Sequence, residues 1–106
     1  QRLAQRATVG LARTGGVGHN GSGDIFLAFA TGNHIHGHSE SIYDVKMMPH
    51  HHMNDLFEAE AEVVEEAILN ALVAAETTVG FKGRKSYAIP LDEVKRVWEK
   101  HRRDVR

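Results

Sequence analysis

Apolar residues recur at helical spacing in some stretches of this chain and at strand spacing, or without interruption, in others. Over residues 1–13, Leu3, Ala7 and Leu11 share one face and arginines lie opposite, which predicts an amphipathic helix. Thr14-Gly15-Gly16 closes it, as glycine does just past a helix end. Ile25 to Ala30 is a continuous apolar run between Asp24 and Thr31-Gly32-Asn33. Its length and aromatic content predict a strand buried on both faces, in the middle of a layered domain. Ile42 to Met47 alternates and predicts an edge strand. The longest pattern runs from about Asn54 to Thr78, with Val64, Ile68, Ala71, Leu72 and Ala75 on one face. Phe57, Val63 and Ala67 widen that stripe, so the helix is expected to lie on something broad. Its glutamates cluster toward the N-terminal half, where the helix dipole favours them. Tyr87-Ala88-Ile89 predicts a short strand. Pro90 opens a last helix whose stripe is Leu91, Val94, Val97 and Trp98.

Composition narrows the class. The apolar fraction of 42% over 106 residues supports a packed core. The formal net charge of -1 argues against nucleic acid as the main partner, which usually needs a basic face. The tail Lys100-His101-Arg102-Arg103 is short, Asp104 interrupts it, and it reads as a solvated helix end. There is no cysteine, so disulfides, thiolate metal sites and cysteine nucleophiles are excluded within this sequence. No apolar run is long enough to span a membrane as a helix. Gln1 to Ala7 is already helical in pattern, with no capping residue ahead of it. That start leads to the expectation of a fragment or processing product.

Candidate chemistry concentrates ahead of the apolar run. Gly15 to Gly23 carries five glycines, with Asn20 and Ser22 among them, and leads through Asp24 into Ile25. Ser22 and Asp24 are two apart, so in an extended backbone they point the same way. A hydroxyl and a carboxylate on one face can orient a nucleophile or hold an ammonium group. The same residues also suit a glycine loop with an Asx-type turn feeding a strand. Both readings stand on spacing alone.

The runs Gly10-Leu11-Ala12-Arg13-Thr14-Gly15 and Asn20-Gly21-Ser22-Gly23-Asp24-Ile25-Phe26-Leu27-Ala28-Phe29 closely resemble the L-aminopeptidase/D-amidase-esterase family of the DmpA type. That family includes β-peptidyl aminopeptidases and nylon-oligomer hydrolases. Phe57-Glu58-Ala59, Glu65 to Leu72 and Ile89-Pro90-Leu91 extend the similarity over nearly the whole chain. The resemblance implies a self-processing hydrolase of the N-terminal-nucleophile type, in which one cleavage of the precursor frees a Ser or Thr at the start of the small subunit. The hydroxyl attacks the scissile carbonyl and the freed α-amine is the general base. Such an amine has a reference pKa of about 7.7–8.0, suited to proton transfer near neutrality.

The implied fold is α/β: a four-layer α/β/β/α sandwich shared by two subunits. Residues 1–106 would be the C-terminal part of that single domain, contributing two or three helices, one central buried strand and edge strands. Carried over by position, Ser22 matches a polar residue that approaches the nucleophile. Asp24 matches an acidic residue that orients it, where other members carry Glu. Asn20, Gly21 and Gly23 take a loop or substrate-side role. The nucleophile is expected upstream of Gln1, which has no hydroxyl, so the chain alone is expected to be inert. The implied partners are the large subunit of the same precursor, further copies in a homo-oligomer of heterodimers, and a peptide, amide or ester substrate. No cofactor, nucleic acid or membrane partner is implied, and the expected location is cytoplasmic, with the periplasm open.

Histidine supports a different class of function. His34, His36 and His38 alternate, so an extended backbone would place three imidazoles on one side as zinc or nickel ligands. A polar loop with exposed histidines fits the same pattern. The corresponding alternative is a non-catalytic, histidine-rich metal-binding or interaction domain. The two classes are separated by what lies upstream of Gln1: a Ser or Thr after Gly or Asn for the enzyme, a start codon for the binding domain.

Overall fold

The computed structural model describes residues 1–38 and 40–102. Arg103 and Asp104, the end of the basic tail, lie outside the described residues. The chain forms two compact units, Gln1–Glu65 and Glu66–Arg106. Among the described residues there are three α-helices: α1 (Ala7–Arg13), α2 (Asn54–Ala74) and α3 (Leu91–His101). A two-stranded antiparallel sheet pairs β1 (Thr78–Val79) with β2 (Lys85–Ser86). The architecture is thus small α/β.

In the first unit, a 3-10 turn at Ala4–Arg6 runs into α1. The Arg2 and Arg6 guanidinium groups lie 5.0 and 4.5 Å from the Phe57 ring centre. Gly10 is buried, facing Ala61 and Val64. Arg13 Nη1 pairs with Glu65 Oε2 at 3.3 Å. These contacts advance in the same order along both helices, so α1 and the first half of α2 run side by side in one direction. Among the described residues only Ala7 and Ala61, each 3% exposed, are buried apolar side chains. Small residues therefore set the helix approach, and the cation–ring and ion pairs flank it.

The end of α1 follows its sequence. Gly15 takes φ 95°, Gly16 N–H donates to Leu11 C=O at 3.1 Å, and Gly15 N–H donates to Ala12 C=O at 3.0 Å. This is the Schellman arrangement, which satisfies carbonyls that the helix leaves open and needs a left-handed residue. The Thr14 hydroxyl adds a bond to Leu11 C=O at 2.8 Å.

The second unit holds the last turns of α2, the hairpin and α3. Thr78 pairs with Ser86 and Val79 with Lys85. The connection turns through Phe81–Gly83, with Lys82 at φ 56° and Gly83 at φ 73°. Ala88 N–H donates to the Thr77 hydroxyl at 3.1 Å, continuing the pairing by a side chain. The strand therefore falls at Lys85–Ser86 and not at Tyr87–Ile89. Helix α2 ends at Ala74, a few residues before the expected Thr78, because Glu76 to Val79 enter the hairpin.

Two expected strands do not form among the described residues. The central buried strand at Ile25–Ala30 has no ladder, and Ile25, Leu27 and Phe29 are 92%, 90% and 86% exposed. Phe26 is half-buried, so the side chains alternate as in an extended chain, but no sheet covers them. A strand is stabilised by ladder partners on its edges, and no described residue pairs with this run. The edge strand expected at Ile42–Met47 likewise forms no ladder among the described residues; the segment is held by side-chain bonds, Asn33 to Lys46 and Tyr43 to His36. No helix among the described residues is long and apolar enough to cross a membrane.

Candidate active site

The site is built at the transition from a turn to extended chain. Ser22 N–H donates to His19 C=O at 2.7 Å, closing a turn over Asn20 and Gly21. Beyond it the backbone extends, and the Ser22 hydroxyl donates to Asp24 Oδ2 at 2.5 Å. The two-residue spacing that places side chains on one side of an extended segment brings this pair together. Because the hydroxyl proton is directed at the carboxylate, Oγ keeps lone pairs free to accept. Asp24 Oδ1 provides a further acceptor and the pair carries a negative charge. This constellation suits an ammonium group or a hydroxyl whose proton must be held. Asn20, Gly21 and Gly23 flank the pair on the same exposed loop.

The apolar run then leads away from the pair. Phe26, Leu27 and Ala28 line a shallow cavity of about 530 Å³ with Gln1, Ala4, Gln5 and Thr8. Beyond the run, Asn33 does what the sequence pattern did not anticipate. Its Nδ2 donates to Lys46 C=O and its Oδ1 accepts from Lys46 N–H, both at 2.9 Å. A side-chain amide has a peptide's donor and acceptor, so one residue closes the loop from 33 to 46 as a β-bridge would. Tyr43 Oη donates to His36 C=O at 2.6 Å inside that loop. The only signal available in sequence was an Asn after Thr31-Gly32, which spacing rules do not single out.

His34, His36 and His38 are all exposed on this loop and do not converge. Among the described residues no three His, Asp or Glu side chains gather as metal ligands. His50–His52 instead form a 3-10 turn before α2, with the His51 and His52 rings 4.2 Å apart.

The model of peptidase family S58 matches residues 1–86. A β-peptidyl aminopeptidase, BapA of Sphingosinicella microcystinivorans, is 41% identical over 104 residues, covering 97% of this chain and 26% of its own length. BapA of Sphingosinicella xenopeptidilytica is 35% identical over 99 residues, covering 92% and 25%. Among solved structures, the PH0078 protein from Pyrococcus horikoshii OT3 matches with a TM-score of 0.89 and 45% identity, over 96% of this chain and 29% of that one. The chain belongs to peptidase family S58, the DmpA family, and its residues correspond to a small-subunit portion. It spans about a quarter of the length of the curated relatives it matches. These relationships support a hydrolase and do not favour a non-catalytic metal-binding domain.

Proposed function

We propose that residues 1–106 are the supporting half of the active site in a self-cleaving aminopeptidase or amidase with an N-terminal Ser or Thr nucleophile. The observation that carries this reading is the Ser22–Asp24 hydrogen bond on a glycine loop in an S58 chain. The nucleophilic hydroxyl and the oxyanion donors come from parts of the protein outside these residues. The nucleophile's hydroxyl attacks the substrate carbonyl, its α-amine takes the hydroxyl proton and passes it to the leaving nitrogen, and the C–N bond breaks as the acyl-enzyme forms. Water then releases the acyl group. Ser22 Oγ and Asp24 Oδ1 accept hydrogen bonds from that amine or its hydroxyl. They favour the protonated amine as it forms and hold the nucleophile in line. Asp24 is shorter than a Glu, yet from position 24 it reaches Ser22 directly.

Substrates in this reading are peptides, amides or esters with a free amino terminus, and the chemistry uses hydroxyl, amine and water without a cofactor. The β-peptidyl aminopeptidase names of the relatives support this class. The partner is the large subunit of the same precursor, completing a four-layer sandwich around the Ile25–Phe29 run. The assembly is a homo-oligomer of such heterodimers, in the cytoplasm or the periplasm. The test is the intact mass of the purified full-length protein. Two chains, the smaller beginning with Ser or Thr, are expected. A single uncut chain with full aminopeptidase activity overturns the self-cleavage reading.

A further inference from the structure

The Ser22–Asp24 pair stands on a short hydrogen-bonded unit of its own. Ser22 N–H donates to His19 C=O at 2.7 Å, and the Ser22 hydroxyl donates to Asp24 Oδ2 at 2.5 Å. Together these bonds tie His19 through Asp24 into one piece. The end of α1 is a second such unit, and its bonds stop at Gly16, whose N–H donates to Leu11 C=O at 3.1 Å. Only Val17 and Gly18 separate the two units. Each residue has two soft backbone dihedrals, so these two residues decide the direction in which the helix presents the pair.

Gly18 takes φ 64°, in the left-handed region. A side chain there is disfavoured because its Cβ crowds the following carbonyl oxygen. Gly15 is also left-handed, but its conformation serves the helix stop described above. Gly18 follows the last bond of that stop and has no share in it. Nor does crowding within the chain require glycine at this position, since a Cβ on Gly18 would meet nothing within 4 Å. The φ itself is what glycine supplies here, and that φ sets the heading of the His19–Asp24 unit.

We infer that Gly18 is a positioning residue for the proposed reaction, its left-handed backbone aiming Ser22 and Asp24 at the nucleophile. This rests on the supporting role proposed for that pair. Any other residue at 18 either holds the same φ under strain or relaxes to negative φ and swings the pair away. A misplacement of about 1 Å at a reacting group costs on the order of 10²-fold in rate. A group that acts in the transition state shows its loss in kcat, with KM little changed.

The test compares Gly18→Asn, Gly18→Ala and Gly18→Val in the full-length protein, with kcat expressed per cleaved chain counted by intact mass. Asparagine tolerates the left-handed region best of the three and β-branched valine worst. Gly18→Asn is expected to stay within about threefold of the parental kcat, Gly18→Ala to fall further and Gly18→Val to fall about tenfold or more, all with KM within about twofold. Asparagine is larger than alanine, so crowding by any other part of the protein would reverse the first two. That reversed order overturns the inference, as does parental kcat in Gly18→Val. A lowered Tm with parental kcat per cleaved chain also overturns it, because Gly18 would then serve stability alone. If Gly18→Val fails to fold or cleave, the order of Asn and Ala decides. Ser22→Ala is measured alongside. Parental kcat in that variant removes the proposed role of the pair and this inference with it. Lost kcat there, with parental kcat throughout the Gly18 series, removes this inference alone.

Discussion

A Cβ placed on Gly10 would lie 2.5 Å from the Ala61 carbonyl oxygen and 2.7 Å from Val64 Cβ. Helix α1 approaches α2 closely because this position has no side chain. The neighbours are a backbone carbonyl and a β-branched residue, neither of which swings aside.

Gly10→Ala therefore forces the helices apart even though alanine is the better helix former. The expected cost is about 1–3 kcal/mol, the range for overpacking a close contact. Thermal unfolding of the full-length protein reads it as a lowered Tm. An unchanged or raised Tm would show that the contact is looser than described.

The loop from 33 to 46 depends on the two bonds between the Asn33 amide and the Lys46 backbone. Asn33→Asp keeps the acceptor for Lys46 N–H but loses the donor to Lys46 C=O. Asn33→Ala loses both. Hydrogen exchange at the Lys46 amide is expected to be fastest in the Ala variant and near that of the parent in the Asp variant. Equal rates in all three proteins would remove Asn33 as the clamp.

The exposed alternation of Ile25, Leu27 and Phe29 predicts behaviour of residues 1–106 prepared alone. An unpaired extended segment with bulky apolar side chains offers its edges to other chains. The isolated polypeptide is expected to self-associate and to show no hydrolysis of aminoacyl p-nitroanilides. A clean monomer in sedimentation analysis would contradict the first expectation, and turnover by a pure sample the second.

Local chemistry was the part most readable in the sequence. The α1 stop at Thr14-Gly15-Gly16, the N-terminal start of α2 and the Pro90 opening of α3 rest on interactions within a few residues, and they appear where expected. The Ser22–Asp24 pair is local too, and extended backbone brings the two side chains together. The Ile25–Ala30 and Ile42–Met47 strands were less accessible, because a strand exists through its neighbours. Apolar composition indicates a wish for cover without saying which residues supply it. The Asn33 bridge joins positions 13 residues apart through a side chain, and no period or spacing announces it.

The central claim is that Ser22 and Asp24 support the chemistry of the site. It is tested most directly by kcat/KM for a β-aminoacyl p-nitroanilide, using full-length protein. Ser22→Ala, Asp24→Asn and Asp24→Glu are compared with the parent, with the extent of chain cleavage followed by intact mass. Loss of either member of the pair is expected to lower turnover, cleavage or both by about 10²-fold or more, the scale of removing one preorganised hydrogen-bonding group. Asp24→Glu, which keeps the charge, is expected to retain most activity. Parental rates and complete cleavage in both Ser22→Ala and Asp24→Asn would contradict the account.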